Sequence, residues 1–198
     1  MSMGLELDVR ELRAGYGGLP VLHGISLIAP AGRITALVGA NGAGKTTLLK
    51  TLAGVMPPVS GSVRVDGEAL SGDTPADRVR RGMALVPEGR HLFPDMSVRE
   101  NLELGGYLAT RAQREKMLDE PSLGLAPKMV DEMFAALTRI NRAGTTLLLV
   151  EQNVFQALAV ADYAYVLGHG ELIAEGAAWE LRGNALIKRV YLGEAIAG

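Results

Sequence analysis

Residues Gly39, Ala40, Asn41, Gly42, Ala43, Gly44, Lys45 and Thr46 read GANGAGKT, which has the spacing G-x-x-x-x-G-K-[ST]. That spacing suits the binding of a polyphosphate. Glycines let successive backbone N–H groups turn inward as an anion nest, and the helix that follows adds the positive end of its dipole. Lys45 can then reach the terminal phosphates, and the Thr46 hydroxyl can ligate magnesium. The apolar run 34–38 precedes the loop and the helix-forming stretch 46–53 follows it, so strand, loop and helix stand in the order the chemistry needs. A Gly-rich turn without a ligand requires none of this, and the pattern predicts binding of a nucleoside triphosphate.

The elements that position such a loop need a core. The chain has 198 residues, 48% of them hydrophobic, which suffices for one substantial core and makes a single α/β domain over 1–198 the expectation. With 20 Lys+Arg against 22 Asp+Glu the formal charge is -2, so no basic field argues for nucleic acid or an anionic lipid surface. Aromatics make up only 5%, too few for a base-stacking platform. Cysteine is absent, which excludes disulfides and thiolate metal sites and fits a reducing compartment. No apolar run approaches the length of a membrane span, and the first residues, MSMGLELDVRELR, lack the apolar core of a signal peptide. Membrane association is therefore expected to go through a partner. His23, His91 and His169 lie far apart without i, i+4 pairing, so a zinc site is not expected.

Before the loop, residues 5–12, the turn 15–18, residues 21–28 and the turn 30–32 predict short antiparallel strands, with a further strand at 62–65 ending at Asp66-Gly67. Residues 73–82 predict a helix and 83–86 a strand leading into Pro87. Ser97-Val98-Arg99-Glu100 has the S-x-x-E capping-box pattern, placing a helix from there to about Tyr107. After Pro127, Met129, Val130, Met133, Phe134, Leu137 and Ile140 recur at helical spacing up to Gly144, a stripe that suits core packing. Residues 145–150 form a near-continuous apolar run of the kind found in buried parallel strands. A helix at 155–161, a hairpin of 163–167 and 172–174, and two short helices near 177–181 and 184–192 complete the chain.

Five landmarks stand in one order: Tyr16 in the N-terminal β-layer, GANGAGKT, LVPEGR from Leu85 to Arg90, LDEPSLGLAP from Leu118 to Pro127, and LLVEQN from Leu148 to Asn153. Together they resemble the ATP-binding subunit of an ABC transporter, across nearly the whole chain. The wordings VPEGR, DEPSLGLAP and VEQN most resemble the smaller ATPase of the high-affinity branched-chain amino acid importers, with urea-importer ATPases as near relatives. The resemblance implies a P-loop NTPase with a RecA-like parallel core and an N-terminal antiparallel β-layer. It implies ATP and Mg2+ as cofactors, with Tyr16 stacking on adenine and Gly39, Asn41, Gly42, Ala43, Gly44, Lys45, Thr46 and Thr47 holding the nucleotide. Thr46, Glu88 and Asp119 are the implied magnesium residues, Glu120 the general base that polarises the attacking water. Glu88 stands where most such ATPases carry glutamine, and Gln152 where most carry histidine. Gln152 can donate a hydrogen bond to the γ-phosphate but cannot carry a proton, so its implied role is to sense that phosphate. The implied partners are a homologous ATPase subunit paired head to tail, transmembrane permease subunits reached through 88–107, and, indirectly, a solute-binding protein. The implied location is the cytoplasmic face of the membrane.

One part of the family pattern is missing. Such ATPases carry a helical subdomain with an L-S-G-G-Q-like signature that contacts the nucleotide of the opposite subunit. Leu70-Ser71-Gly72-Asp73 lies on the wrong side of LVPEGR for that role and reads as a plain turn. Where the signature belongs, only residues 108–116 separate Tyr107 from Met117; fully extended they reach about 30 Å, too little for a helical hairpin. The strand before Asp119 is short as well: only Met117 and Leu118 precede it, with Glu115 and Lys116 upstream, and burying those charges unpaired is strongly unfavourable. Either that strand is clipped or the sequence skips a few dozen residues there. Two other functions stay open from sequence: a nucleotide-binding module without independent turnover, and a P-loop small-molecule kinase, which the preceding β-layer and the lack of an Arg-rich lid disfavour.

Overall fold

The computed structural model describes residues 4–86, 97, 100 and 129–183, with residues 129–132 described as backbone only. Glu88, His91, the remainder of 87–107, the connector 108–116, Asp119, Glu120 and the helix expected near 184–192 lie outside these residues.

Strands β1 (Leu7–Tyr16) and β2 (Leu19–Ala29) form an antiparallel hairpin that closes with Tyr16 opposite Leu19. Its turn is the pair Gly17-Gly18 alone, shorter than the sequence suggests. Both residues have positive φ, as the tightest hairpin turns require, so β1 runs on through Tyr16. Strand β3 (Ile34–Val38) leads to helix α1 (Lys45–Leu52). Then come β4 (Ser60–Val65), paired with β1, and the two-residue β5 (Glu68–Ala69). Helix α2 (Pro75–Arg80) starts at the capping box of Thr74 and Asp77. Helix α3 (Met129–Arg142), β6 (Leu147–Glu151), α4 (Val154–Val160), β7 (Tyr163–Gly168), β8 (Glu171–Ala177) and α5 (Ala178–Arg182) follow.

Two four-stranded sheets result, in the orders β2-β1-β4-β5 and β6-β3-β7-β8. The first is antiparallel. In the second, β3 runs parallel to both neighbours and β8 returns antiparallel to β7. The expected β-layer and parallel P-loop core are both present. All five residues of β3 are buried, four of them apolar with Thr35 the exception, as expected of a parallel strand covered on both faces.

The core between the layers joins Val9, Leu12, Leu22 and Ile25 of the first sheet to Leu37 and Leu167 of the second, with Leu48 and Leu52 of α1 packed among them. An eight-residue helix is marginal on its own. Burying each leucine is worth on the order of 2 kcal/mol, so packing rather than helix propensity fixes where α1 lies. A second cluster, including Ala36, Val38, Val154, Leu158 and Leu181, covers the other face of β3.

Polar groups tie the layers together at fixed points. The Tyr165 hydroxyl accepts from Ile28 N–H at 3.0 Å, and burial pushes its pKa up. Asp162 accepts from Ile34 N–H through Oδ2 and pairs with Arg33 through Oδ1, each at 2.9 Å, pinning the entry of β7 to the entry of β3.

Ser97 and Glu100 form the expected capping box: Ser97 N–H and Oγ donate to the Glu100 carboxylate at 2.8 and 2.7 Å. Those bonds hold the Glu100 carboxyl below the usual carboxylate range. The stretch Leu70 to Asp73 is indeed a turn. Three expectations differ. Residues 83–86 are not a strand; they pair with no neighbour among the described residues, and Val86 is 87% exposed. The apolar run at β6 is half-buried throughout, because among the described residues it pairs only with β3 and forms the sheet's edge. On α3, Phe134 is buried but Met133 and Ile140 are exposed, so the helical stripe is only partly core. No helix among the described residues is long and apolar enough to cross a membrane.

Candidate nucleotide site

The loop from Gly39 to Gly44 leaves the C-terminal end of β3, where the strand is clamped between β6 and β7. Gly44 has φ 109°, a conformation that a Cβ strains, and it supplies no side chain to cap α1. The first turn of α1 holds no acidic residue. The helix thus brings no carboxylate of its own first turn against its leading N–H groups and positive dipole end. Lys45 arches back over the loop, its Nζ donating to Gly39 O at 2.7 Å and Ala40 O at 2.8 Å. A phosphate fits this donor set of amides at a helix start and a cation already held at the loop mouth. Asn41, Gly42 and Thr46 are exposed at the rim, while Ala43, Gly44 and Thr47 are buried.

Register places Gln152 next to this loop. Val38 lies opposite Glu151, so the following residues, Gly39 and Gln152, leave their strands side by side, and Gln152 is exposed. Tyr16 lies at the end of the β1–β2 hairpin with half its surface exposed, and Lys50 Nζ sits 5.8 Å from its ring centroid. That is cation–π range, and it brings Tyr16 alongside α1. The chain thus brings the loop, Lys45, Thr46 and Gln152 to the C-terminal end of β3, with Tyr16 beside α1 through Lys50. Glu88, Asp119 and Glu120 lie outside the described residues.

Two features had no signal in the sequence. Lys50 reaches Tyr16 only because the hairpin folds against α1. The other is the turn His169-Gly170, whose Gly170 N–H donates to Ala43 O at 3.0 Å and whose carbonyl accepts from His23 N–H at 2.9 Å. A Cβ on Gly170 would come within 2.0 Å of Val21 O, and φ there is +80°. The turn braces the phosphate loop from behind, and only glycine fits. Gly170→Ala is expected to destabilise the fold by about 3 kcal/mol. Calorimetric melting should show a Tm about 6–12 °C lower; an unchanged Tm would count against the brace.

Comparison with known proteins agrees with this geometry. The family model described as ABC transporter matches residues 22–159. A high-affinity branched-chain amino acid transport ATP-binding protein, BraG of Pseudomonas aeruginosa, is 36% identical, with the match covering 94% of this chain and 99% of that protein. A probable branched-chain amino acid transport ATP-binding protein, LivF of Archaeoglobus fulgidus, is 29% identical over 92% of this chain and 97% of its own length. Among solved structures, the ATP-binding subunit of an ABC transporter superposes with a TM-score of 0.76 at 22% identity, covering 94% of this chain and 98% of that one, a likeness of fold. The BraG alignment runs over 231 positions, whereas 94% of 198 residues is about 186. About 45 positions of that relative therefore have no counterpart here.

Proposed function

Because the chain belongs to the ABC transporter family, we propose that it is the ATP-binding and ATP-hydrolysing subunit of an importer for branched-chain amino acids. The observation that carries the substrate class is the 36% identity to BraG over nearly the full length of both proteins. MgATP, when bound, supplies the phosphoanhydride bond that is cleaved. The loop amides of Gly42 and Gly44 and the Lys45 ammonium hold its phosphates, Thr46 with Asp119 and Glu88 holds the metal, and Tyr16 stacks on the adenine. Glu120 polarises the attacking water and Gln152 reports on the γ-phosphate. Residues 88–107 meet transmembrane permease subunits, placing the chain on the cytoplasmic face of the membrane, where a homologous ATPase subunit pairs with it head to tail. Deleting this chain from its own cell should abolish high-affinity uptake of labelled leucine, isoleucine and valine while sparing urea. Undiminished uptake of all three overturns the assignment, and a selective loss of urea uptake replaces it with the urea-importer reading.

A second reading is favoured by one observation, the roughly 45 positions of BraG that have no counterpart here. A gap of that size is what the short connector 108–116 calls for if the signature subdomain is missing. The chain then binds ATP in its own loop but offers no signature to its partner, and it turns over only beside a subunit that supplies one.

A further inference from the structure

Arg78 is the only buried charged side chain among the described residues, 6% exposed. It lies on α2, yet its guanidinium is spent on α1: Nη1 donates to Thr51 O at 2.7 Å and to Leu52 O, while Nη2 reaches Leu70 O at 3.5 Å. Thr51 and Leu52 are the last two residues of α1, and of their carbonyls the helix end itself supplies a partner only to Thr51, from Gly54 N–H at 3.1 Å. A cation there also opposes the negative end of the helix dipole. Gly54, just past the end of α1, is packed against the same group, since a Cβ at that position would lie 2.9 Å from Arg78 Nε.

The other end of α1 is the phosphate loop. Eight residues of helix span about 12 Å, so the group that holds the phosphates and the group that holds Arg78 are opposite ends of one short rigid rod. Arg78 in turn belongs to a firmly built segment. Thr74 and Asp77 cap α2, with Asp77 N–H donating to Thr74 Oγ1 at 3.2 Å and Thr74 N–H to Asp77 Oδ2 at 3.1 Å. Arg81 ties the same segment to Asp73 at 2.8 Å and to Glu68 at 2.7 Å. Met83 N–H donates to the carbonyl of Arg78 itself at 3.0 Å. From Met83 the chain runs directly into residues 84–86 and then 87–107.

We propose that Arg78 is a positioning residue that locks the far end of the phosphate-loop helix to the segment carrying 79–86, so that nucleotide binding at one end of α1 further slows the local opening of residues 79–86 at the other. The proposal rests on the nucleotide-binding reading above and adds the route by which occupancy is passed to the segment assigned to the permease. Lysine does not replace arginine here, because a point charge on a flexible stem cannot hold two carbonyls in a fixed fork.

The test is hydrogen exchange of the purified full chain with and without saturating ADP. In the wild type, ADP should slow exchange of the amides of 45–52 and, by about fivefold or more, those of 79–86. In Arg78→Met the protection of 45–52 should persist while that of 79–86 falls to less than about twofold. Arg78→Lys should fall between, and it decides the matter if the methionine variant does not fold. Protection of 79–86 equal to wild type in either folded variant overturns the coupling and leaves nucleotide binding intact. Absence of any ADP effect in the wild-type chain overturns the nucleotide reading along with it.

Discussion

Replacing Lys45 by alanine is expected to lower ATP turnover of the assembled transporter at least about 100-fold, the scale for removing one preorganised charge from a transition state that gathers negative charge. The side chain is already aimed at the site. Its ammonium sits between Gly39 O and Ala40 O at the mouth of the loop, and a modest swing carries it from those carbonyls onto a phosphate. The other turns of α1 are held independently by Leu48, Leu52 and Arg78. The variant should therefore stay folded, its Tm lowered by no more than about 8 °C, as the loss of two hydrogen bonds worth about 2 kcal/mol would give. Steady-state phosphate release by wild-type and Lys45→Ala complexes reads the effect directly, and retained turnover would remove the catalytic assignment.

Mixing the chain with an intact homologous subunit separates the two readings of function more sharply than any single substitution. If the signature segment is missing, this chain alone should release phosphate at close to the uncatalysed rate, and the mixed pair should recover it. Of the two composite sites in such a pair, only the one built from this chain's phosphate loop and the partner's signature is complete. Lys45→Ala in this chain should then remove essentially all turnover of the pair, about 100-fold or more. The matching lysine substitution in the partner should leave turnover within about twofold, because the partner's loop faces no signature. Equal losses from the two substitutions would mean that both sites work and would reject the half-site reading.

What could be read without coordinates was what is local or periodic. GANGAGKT announced its strand, loop and helix because each glycine and the lysine act within eight residues of chain. Ser97 and Glu100 announced their cap for the same reason, and the structure shows the bonds. The run 83–86 misled because an apolar run only permits a strand, whereas pairing makes one, and no partner stands beside it among the described residues. The β6 run read as fully buried because apolar composition does not tell how far a strand is covered; among the described residues it pairs only with β3 and is half-buried. Arg78 was invisible for a different reason: ADRVRR reads as a solvated charge cluster, and only the fold shows one member of it turned inward beneath α1. Gly170 and Lys50 matter through contacts with residues more than thirty positions away, to Ala43 and Tyr16, which no spacing rule reaches.

Calorimetric titration of the purified chain with MgATP bears most directly on the claim that residues 39–47 form a nucleotide site. The expected result is saturable binding to one site per chain with Kd well below about 1 mM, a binding free energy stronger than about -4 kcal/mol, and its loss in Lys45→Ala. The absence of saturable heat at millimolar MgATP, in a sample whose melting shows it folded, would contradict the account.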